Sequence, residues 1–108
     1  MKNSAILIGS KPGSVTALKY LIKLGWDIKE VVASEEQAPW LPTPSLHDVA
    51  KSFGIRTISK QSDLISEQVD LVISYMSRSF VKNETLERGR YALNFHAGHN
   101  HAFFPYPD

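Results

Sequence analysis

Short apolar runs alternate along this chain with segments whose apolar residues recur at helical spacing. Buried strands of a parallel sheet appear as short, mainly apolar segments, and the sequence predicts strands over residues 5–8, 28–33, 55–58, 69–75 and 91–96, of which 5–8 is a continuous apolar run. Between them, apolar residues three and four positions apart predict amphipathic helices over residues 15–24 and 46–53. Asn83 is predicted to cap a shorter helix through Thr85, Leu86 and Glu87, which Gly89 ends. The chain therefore alternates strand and helix.

The helix boundaries carry their own signals. Ser14 and Ser45 are predicted to cap the first two helices, which end before Gly25 and Gly54. His47, on the polar side of the second helix, is predicted to be exposed. This alternation predicts an α/β fold, a Rossmann-like parallel sheet with helices on both faces. With strand order 3-2-1-4-5, ligands bind where the order reverses, beyond the carboxyl ends of strands one and four.

Three irregular loops follow strands at this predicted edge: residues 9–14, residues 76–80, and the chain after residue 96. The first matches neither a dinucleotide-binding nor a P-loop motif. It either holds an anion at the following helix N-terminus, with Lys11 adding charge, or forms only a tight turn. Arg78 either pairs with an anion or extends to water. The predicted cleft is lined by Ser10, Lys11, Tyr75, Met76, Arg78, Asn94 and His96.

Asn94 and His96 end the fifth strand. Because strand side chains alternate, both should project on one face, with Phe95 on the other. An amide donor beside a titratable imidazole suits chemistry on a carbonyl, although a buried hydrogen-bonded pair is the alternative. His99 and His101 suggest a metal site together with His96, but their spacing matches no closed zinc motif, so we expect no metal.

Composition narrows the function classes. The chain has 108 residues, enough for one small domain, and a formal net charge of +1, which makes nucleic acid an unfavoured partner. There is no cysteine, hence no disulfide and no thiolate nucleophile. The apolar run near the start is too short for a signal peptide core or a membrane span. We expect a soluble, cytoplasmic protein without a membrane partner.

Three segments resemble the formyltransferase family that uses 10-formyltetrahydrofolate. They are Leu7-Ile8-Gly9-Ser10-Lys11-Pro12, Asp70-Leu71-Val72-Ile73-Ser74-Tyr75 and, most specifically, Ala92-Leu93-Asn94-Phe95-His96. This family includes methionyl-tRNA, glycinamide ribonucleotide and nucleotide-sugar formyltransferases. The phenylalanine within Asn-Phe-His, followed by Ala97-Gly98, looks most like the enzymes that formylate a nucleotide-linked amino sugar.

The resemblance implies roles for individual residues. Asn94 would donate a hydrogen bond to the formyl oxygen, and His96 would transfer protons and stabilise the tetrahedral intermediate. The folate would be held largely by backbone of the loops after the fourth and fifth strands, and the expected donor-binding residues are Tyr75, Met76, Ser77, Arg78 and Phe80. Ser10 and Lys11 are the expected substrate-binding residues. Folate and an amino sugar are the expected partners, and an oligomer is compatible with this interpretation.

The resemblance covers residues 1–98, which we expect to be one formyltransferase-like domain, and residues 99–108 do not align and are expected to be a divergent tail. The aspartate that orients the histidine in the family lies further downstream, and Asp108 is too close to His96 to be assumed its substitute. We therefore expect an incomplete formyltransferase domain, a truncated chain of weak or no activity, whose fifth strand is a sheet edge. The alternatives are a non-catalytic folate- or nucleotide-binding module, a fragment like methionyl-tRNA formyltransferase, and an enzyme completed by another chain.

Overall fold

The structure is a computed structural model that describes residues 3–9, 12–33, 44–75, 81–96 and 99–103, without the side chains of Pro12, His96 and residues 99–103. Strands and helices alternate along the first five strands, as the sequence predicts. In chain order the elements are β1 (Ser4–Gly9), α1 (Pro12–Lys23), β2 (Asp27–Ala33), α2 (Leu46–Ser52), β3 (Arg56–Ile58), a 3₁₀ turn (Gln61–Asp63), β4 (Val69–Tyr75), α3 (Asn83–Leu86), β5 (Gly89–His96) and β6 (His99–Phe103).

One sheet contains all six of these strands, in the order β3-β2-β1-β4-β5-β6. The first five strands of the chain run parallel, and β6 pairs antiparallel with β5. The predicted α/β fold and strand order are confirmed. The order reverses between β1 and β4, so the carboxyl ends of these two strands flank the point where such sheets bind ligands.

The sheet is buried on two faces by different elements. On the first face, α1 and α2 pack over the strands, and the fully buried residues there include Leu7, Leu18, Val31 and Ala50. On the second face the core is smaller and is closed by Leu64, from the segment after the 3₁₀ turn; its strand residues are Ile6, Ile8, Val32, Ile58, Val69 and Val72. A strand covered on both faces needs apolar residues at successive positions, which explains the continuous runs in the sequence.

Several local predictions are confirmed. The Ser45 side chain accepts a hydrogen bond from the backbone N–H of Asp48 at 3.1 Å, as an N-cap does. Gly25 and Gly54, after α1 and α2, have φ values of 90° and 73°, a region that other residues enter only at a cost. The fourth strand has the predicted bounds.

Three predicted boundaries are wrong. Helix α1 begins at Pro12, because proline suits the first helical position, so Ser14 lies inside the first turn, fully buried, and is not the cap. Similarly, α3 has Lys82 at its N-cap position and Asn83 as its first residue. Gly89 does not follow a helix as its stop signal but opens β5.

Two further predictions are corrected. His47 is 5% exposed, not solvent-exposed; Leu46 and His47, adjacent at the start of α2, are both buried, so the first helical turn is enclosed on two sides. Residues 99–103, which belong to the expected divergent tail, form β6. The antiparallel pairing of β6 covers β5, so β5 is not the sheet edge.

Glu30 is a buried carboxylate that the sequence analysis did not identify. Its side chain is 1% exposed and accepts hydrogen bonds from Arg56 Nε at 3.0 Å, from Ile65 N at 3.1 Å and from Ser66 N at 2.7 Å. Burial raises the pKa of Glu30, but these hydrogen bonds, those from Ser66 above all, outweigh burial and lower the pKa below its ordinary value. The carboxylate links the segment after the 3₁₀ turn to β2 and, through Arg56, to β3.

Among the helices that the structure describes, none is both long and apolar enough to cross a membrane.

Candidate functional site

Strands β1, β4 and β5 end side by side. Gly9 at the end of β1 is in register with Tyr75 at the end of β4, and Tyr75 is in register with Phe95 of β5. Because neighbouring strands lie about 4.8 Å apart, these three ends form one continuous border of the sheet. Any group that binds at the point of strand reversal contacts this border.

The first turn of α1 sits directly against the border. A Cβ atom added to Gly9 would lie 2.6 Å from Ser14 Cβ, 2.9 Å from Ser14 Oγ and 3.1 Å from the Tyr75 carbonyl oxygen. Gly13, in the same turn, also lies close to Tyr75: a Cβ atom added to Gly13 would lie 2.9 Å from a carbon of the Tyr75 ring. Glycine at these positions lets the positive end of the helix dipole approach the strand ends closely.

Replacing Gly9 with alanine should lower the free energy of unfolding by about 1–3 kcal/mol, because the new methyl group meets backbone as well as a buried side chain. Gly13→Ala is the matched comparison: its methyl meets the Tyr75 ring, which can turn aside, and alanine favours the helix. Urea denaturation of both variants measures the difference. Equal stability of Gly9→Ala and the parent would contradict the tight packing of this turn.

Asn94 lies on β5 directly beside Ser74 of β4, and Ser74 in turn lies beside Ile8 of β1. Register partners in a parallel sheet share a face, so Asn94 belongs to the second face, with Ile8 and Val72. Asn94 is half-buried, and its Oδ1 atom is buried. The amide therefore has a partly dry environment, in which its hydrogen bonds are stronger than in water.

Tyr75 and Phe95 lie on the opposite face of the sheet. Their ring centroids are 5.8 Å apart at an interplanar angle of 42°, and both pack against the first core, under α1. The Tyr75 ring contacts the first turn of α1 at Gly13. Of the predicted lining residues, Asn94 and Tyr75 are thus neighbours along the border, but their side chains are separated by the sheet.

Ser74 is the site neighbour that sequence reasoning missed. It is 1% exposed and is the register partner of Asn94. The sequence contains a signal for this position. Within residues 71–74 of the buried strand, Ser74 is the one residue with a polar side chain, and it lies near the end of the strand. Alternation places it on the face of Asn94 and away from that of Tyr75.

The other predicted site residues are described only in part. The backbone of His96 is in β5, two residues beyond Asn94 and hence on the same face, whereas its side chain lies outside the described residues. The remaining ones also lie outside them: Ser10, Lys11, Met76, Ser77, Arg78 and Phe80.

The histidines of the last hairpin are placed by backbone register. His96 pairs with His99, and Asn94 pairs with His101, so the hairpin brings these four positions to one face. Within the side chains that the structure describes, no group of three histidine, cysteine, aspartate or glutamate residues is arranged to hold a metal ion. The three imidazoles lie outside that set.

Charged side chains lie at the amino ends of β4 and β5. On β4 and β5, the carboxylate that the structure describes is Asp70, at the amino end, where it accepts hydrogen bonds from the backbone N–H and hydroxyl of Ser4 at 2.8 and 3.3 Å. An open concave surface of mixed charge lies at this end, lined by Ser4, Gln68, Val69, Asp70, Glu87, Gly89 and Arg90. Asn94 is at the other end, so this concavity is separate from the candidate site.

The chemistry available at the carboxyl border follows from these placements. The border has the half-buried amide of Asn94 and the backbone position of His96 on the same face. The N-terminus of α1 lies on the other side of the point where strand order reverses. Comparison of the sequence with protein-family models finds no match, and a search of the curated proteins finds none either.

Proposed function

We propose that the chain transfers a formyl group from 10-formyltetrahydrofolate to the amino group of a nucleotide-linked amino sugar. The observation that carries the proposal is Asn94-Phe95-His96 at the end of β5, beside the point where strand order reverses. Asn94 and His96 share a face of the sheet, and Asn94 is partly enclosed. The resemblance to the folate-dependent formyltransferases supplies the roles.

The reaction begins when the lone pair of the neutral amine attacks the formyl carbon. The carbon–oxygen π electrons move to oxygen, and the Nδ2–H group of Asn94 donates a hydrogen bond to the resulting oxyanion. An amide donor fixed before the reaction stabilises this charge without having to reorient. Asn94 is therefore proposed as the oxyanion donor.

His96 is proposed as the acid and base. Its imidazole accepts the proton that the attacking amine releases. It returns that proton to N10 of the folate as the bond between N10 and the formyl carbon breaks. The products are a formamide and tetrahydrofolate, with no net gain or loss of protons at His96.

Substrate phosphates are proposed to bind near the start of α1. This helix has 12 residues, and its first turn lies against the end of β1, where the positive end of the helix dipole favours an anion. Ser10 and Lys11 precede it in the sequence, and the lysine would add a positive charge. Tyr75 and the residues after it, Met76, Ser77, Arg78 and Phe80, are proposed to contact the folate.

Calorimetric titration with 5-formyltetrahydrofolate, a stable analogue of the donor, tests the folate part of the proposal. We expect saturable binding, a gain in stability of about 2.7 kcal/mol at 100 times the dissociation constant, and weaker binding by Asn94→Ala. Asn83→Ala, on the exposed start of α3, is the matched control and should bind like the parent.

Absence of heat and of any thermal shift would contradict the proposal. Binding without formyl transfer would instead favour the second interpretation, a folate- or nucleotide-binding module that uses the same border of the sheet.

A further inference from the structure

The last two strands bring together three of the four histidines in the chain. Strand β6 pairs antiparallel with β5, with His96 opposite His99 and Asn94 opposite His101. Residues that are opposite each other in such a pair lie on the same face of the sheet, and alternate residues of each strand share that face. Positions 96, 99 and 101 therefore lie on one face of the hairpin.

The hairpin register makes these three positions neighbours. His96 and His99 are three residues apart, so in one uninterrupted strand they would lie on opposite faces. Because the chain reverses direction between β5 and β6, the two positions instead lie opposite each other on the same face. The linear spacing, which matches no closed zinc motif, therefore does not predict this arrangement.

The distances between the three positions suit a single metal ion. The Cβ atoms of directly opposite residues lie about 4.5–5.5 Å apart, diagonal neighbours at most about 7–8 Å apart, and alternate residues of one strand about 7 Å apart. His96 and His99 are the opposite pair, and His101 is diagonal to His96 and alternate to His99. Bonds from zinc to an imidazole nitrogen are about 2.0–2.1 Å long, so the ligands of one ion must come from positions as close as these.

The ligand positions lie on a regular scaffold. Strand β5 is paired on both sides, in parallel with β4 and antiparallel with β6. Sites built on strands are held more precisely than sites on loops. The hairpin therefore provides a fixed arrangement of the three backbone positions before any ion binds.

Three imidazoles favour a metal ion of the zinc class. Imidazole nitrogen suits Zn²⁺, Cu²⁺ and Ni²⁺, whereas Mg²⁺ and Ca²⁺ prefer oxygen ligands. Three protein ligands leave the fourth position of a tetrahedral ion open to water or another small ligand. Asp70, the carboxylate that the structure describes on β4 and β5, is at the amino end of the sheet and does not complete the site.

We propose that His96, His99 and His101 bind one divalent ion of the zinc class on this face of the β5–β6 hairpin, with the fourth coordination position open. The ion takes the nitrogen lone pair that His96 is proposed to use in proton transfer, so metal binding and formyl transfer exclude each other. This consequence rests on the proposed function, whereas the metal site does not.

Titration of the metal-free 108-residue chain with Co²⁺ tests the site without folate or amino sugar. We expect saturable binding of one ion per chain, with the visible absorption bands of four-coordinate Co²⁺, and displacement of Co²⁺ by Zn²⁺. Loss of an outer hydrogen-bond partner at a metal site typically weakens binding by about 10–100-fold, so His99→Ala and His101→Ala should each weaken it at least as much. Asn100→Ala is the matched control: position 100 lies between the two ligands on the other face of β6, and this variant should bind like the parent.

A double variant separates the hairpin site from binding by histidines that are merely close in sequence. His99→Asn combined with Asn100→His keeps the composition but moves one imidazole position to the other face of β6. We expect binding of Co²⁺ to weaken by at least about tenfold, with the thermal midpoint of the metal-free chain close to that of the parent. Equal affinity of the double variant and the parent would overturn the proposal, as would absence of saturable Co²⁺ binding by the parent.

Formyl transfer in the presence of Zn²⁺ tests the consequence for function. We expect saturating Zn²⁺ to abolish transfer by the parent chain and a chelator to restore it, while Mg²⁺ leaves the rate unchanged. An unchanged rate with Zn²⁺ bound would contradict the exclusion of formyl transfer by the metal. If the parent transfers no formyl group, the proposed function fails, while the Co²⁺ titration still decides whether the metal site exists.

Discussion

Replacing Asn94 with alanine should lower the rate of formyl transfer at saturating donor by about 10²–10³-fold. Removal of one fixed oxyanion donor typically has this effect, because the charge that develops on oxygen loses its preorganised N–H partner. Asn94→Asp should be at least as slow, since it replaces the donor with an acceptor that repels the oxyanion. Single-turnover kinetics at excess enzyme measure the chemical step directly.

Stability separates this result from simple unfolding. Asn94 is half-buried near the end of β5, so its alanine variant should keep the thermal midpoint close to that of the parent. Asn83→Ala removes the same amide from an exposed position on α3 and should leave the rate unchanged. Transfer by Asn94→Ala at the parent rate would rule out Asn94 as the oxyanion donor.

The second large effect concerns stability and arises at Glu30. In Glu30→Leu the N–H groups of Ile65 and Ser66 and the guanidinium group of Arg56 lose their shared acceptor. A donor left without its acceptor away from water typically costs about 1–3 kcal/mol, a large part of the 5–15 kcal/mol that stabilises a domain, whereas Arg56 is 45% exposed and can bond to water instead. Glu30→Gln keeps the shape and should lose less. Urea denaturation at neutral pH measures both, and Glu67→Gln, an exposed change in the same segment, is the control.

The contribution of Glu30 to stability should depend on pH in a definite direction. The pKa of Glu30 is lower in the folded chain than the ordinary value of 4.5, because the hydrogen bonds from Ser66, Arg56 and Ile65 outweigh the opposing effect of burial. The unfolded chain therefore takes up a proton first as pH falls. The contribution of Glu30 is complete above pH 4.5 and is lost as pH falls through the lower folded value.

It follows that the stability difference between the parent and Glu30→Gln should narrow below pH 4.5. A difference that stays constant down to the acid unfolding of the parent would contradict this account of the Glu30 cluster.

Much of the fold could be predicted because a strand that is buried on both faces of a sheet has a mainly apolar sequence. The run 69–75 is continuous and apolar except at Asp70 and Ser74, and β4 has these bounds. Ser45 and Gly54 marked α2 through local chemistry that needs no tertiary contact. The strand order 3-2-1-4-5 is the common one of doubly wound sheets, and the first five strands have it.

The errors have two causes: a stronger local signal at the start of α1, and tertiary contacts elsewhere. Ser14 is a good cap by composition, yet Pro12 starts the helix and the close approach of Gly9 encloses the serine. His47 lies on the polar side of its helix by periodicity, but the first turn of α2 is enclosed on two sides. The pairing of β6 with β5 depends on the register of the hairpin. No periodic pattern in residues 99–103 predicts this pairing.

The sequence predicts where the candidate site lies on the sheet but not which residues surround it. Alternation placed Asn94 and His96 on one face, and the switch-point rule placed that face at the carboxyl border. Ser74 and Glu30 depend on which strands become neighbours and on what covers them, so only the folded arrangement identifies them. Tyr75 belongs to the predicted border, but its ring lies on the face opposite Asn94 and packs against α1.

The measurement that tests the central claim most directly is formyl transfer followed on the carbon atom itself. The chain is mixed with 10-formyltetrahydrofolate labelled with ¹³C in the formyl group and with a panel of nucleotide-linked amino sugars, and the ¹³C resonance is recorded over time. We predict that a formamide signal appears with at least one amino sugar, and that it is lost or greatly slowed in His96→Ala. Persistence of the donor signal with every acceptor, or equal formamide production by the parent and His96→Ala, would contradict the assignment of this site to formyl transfer.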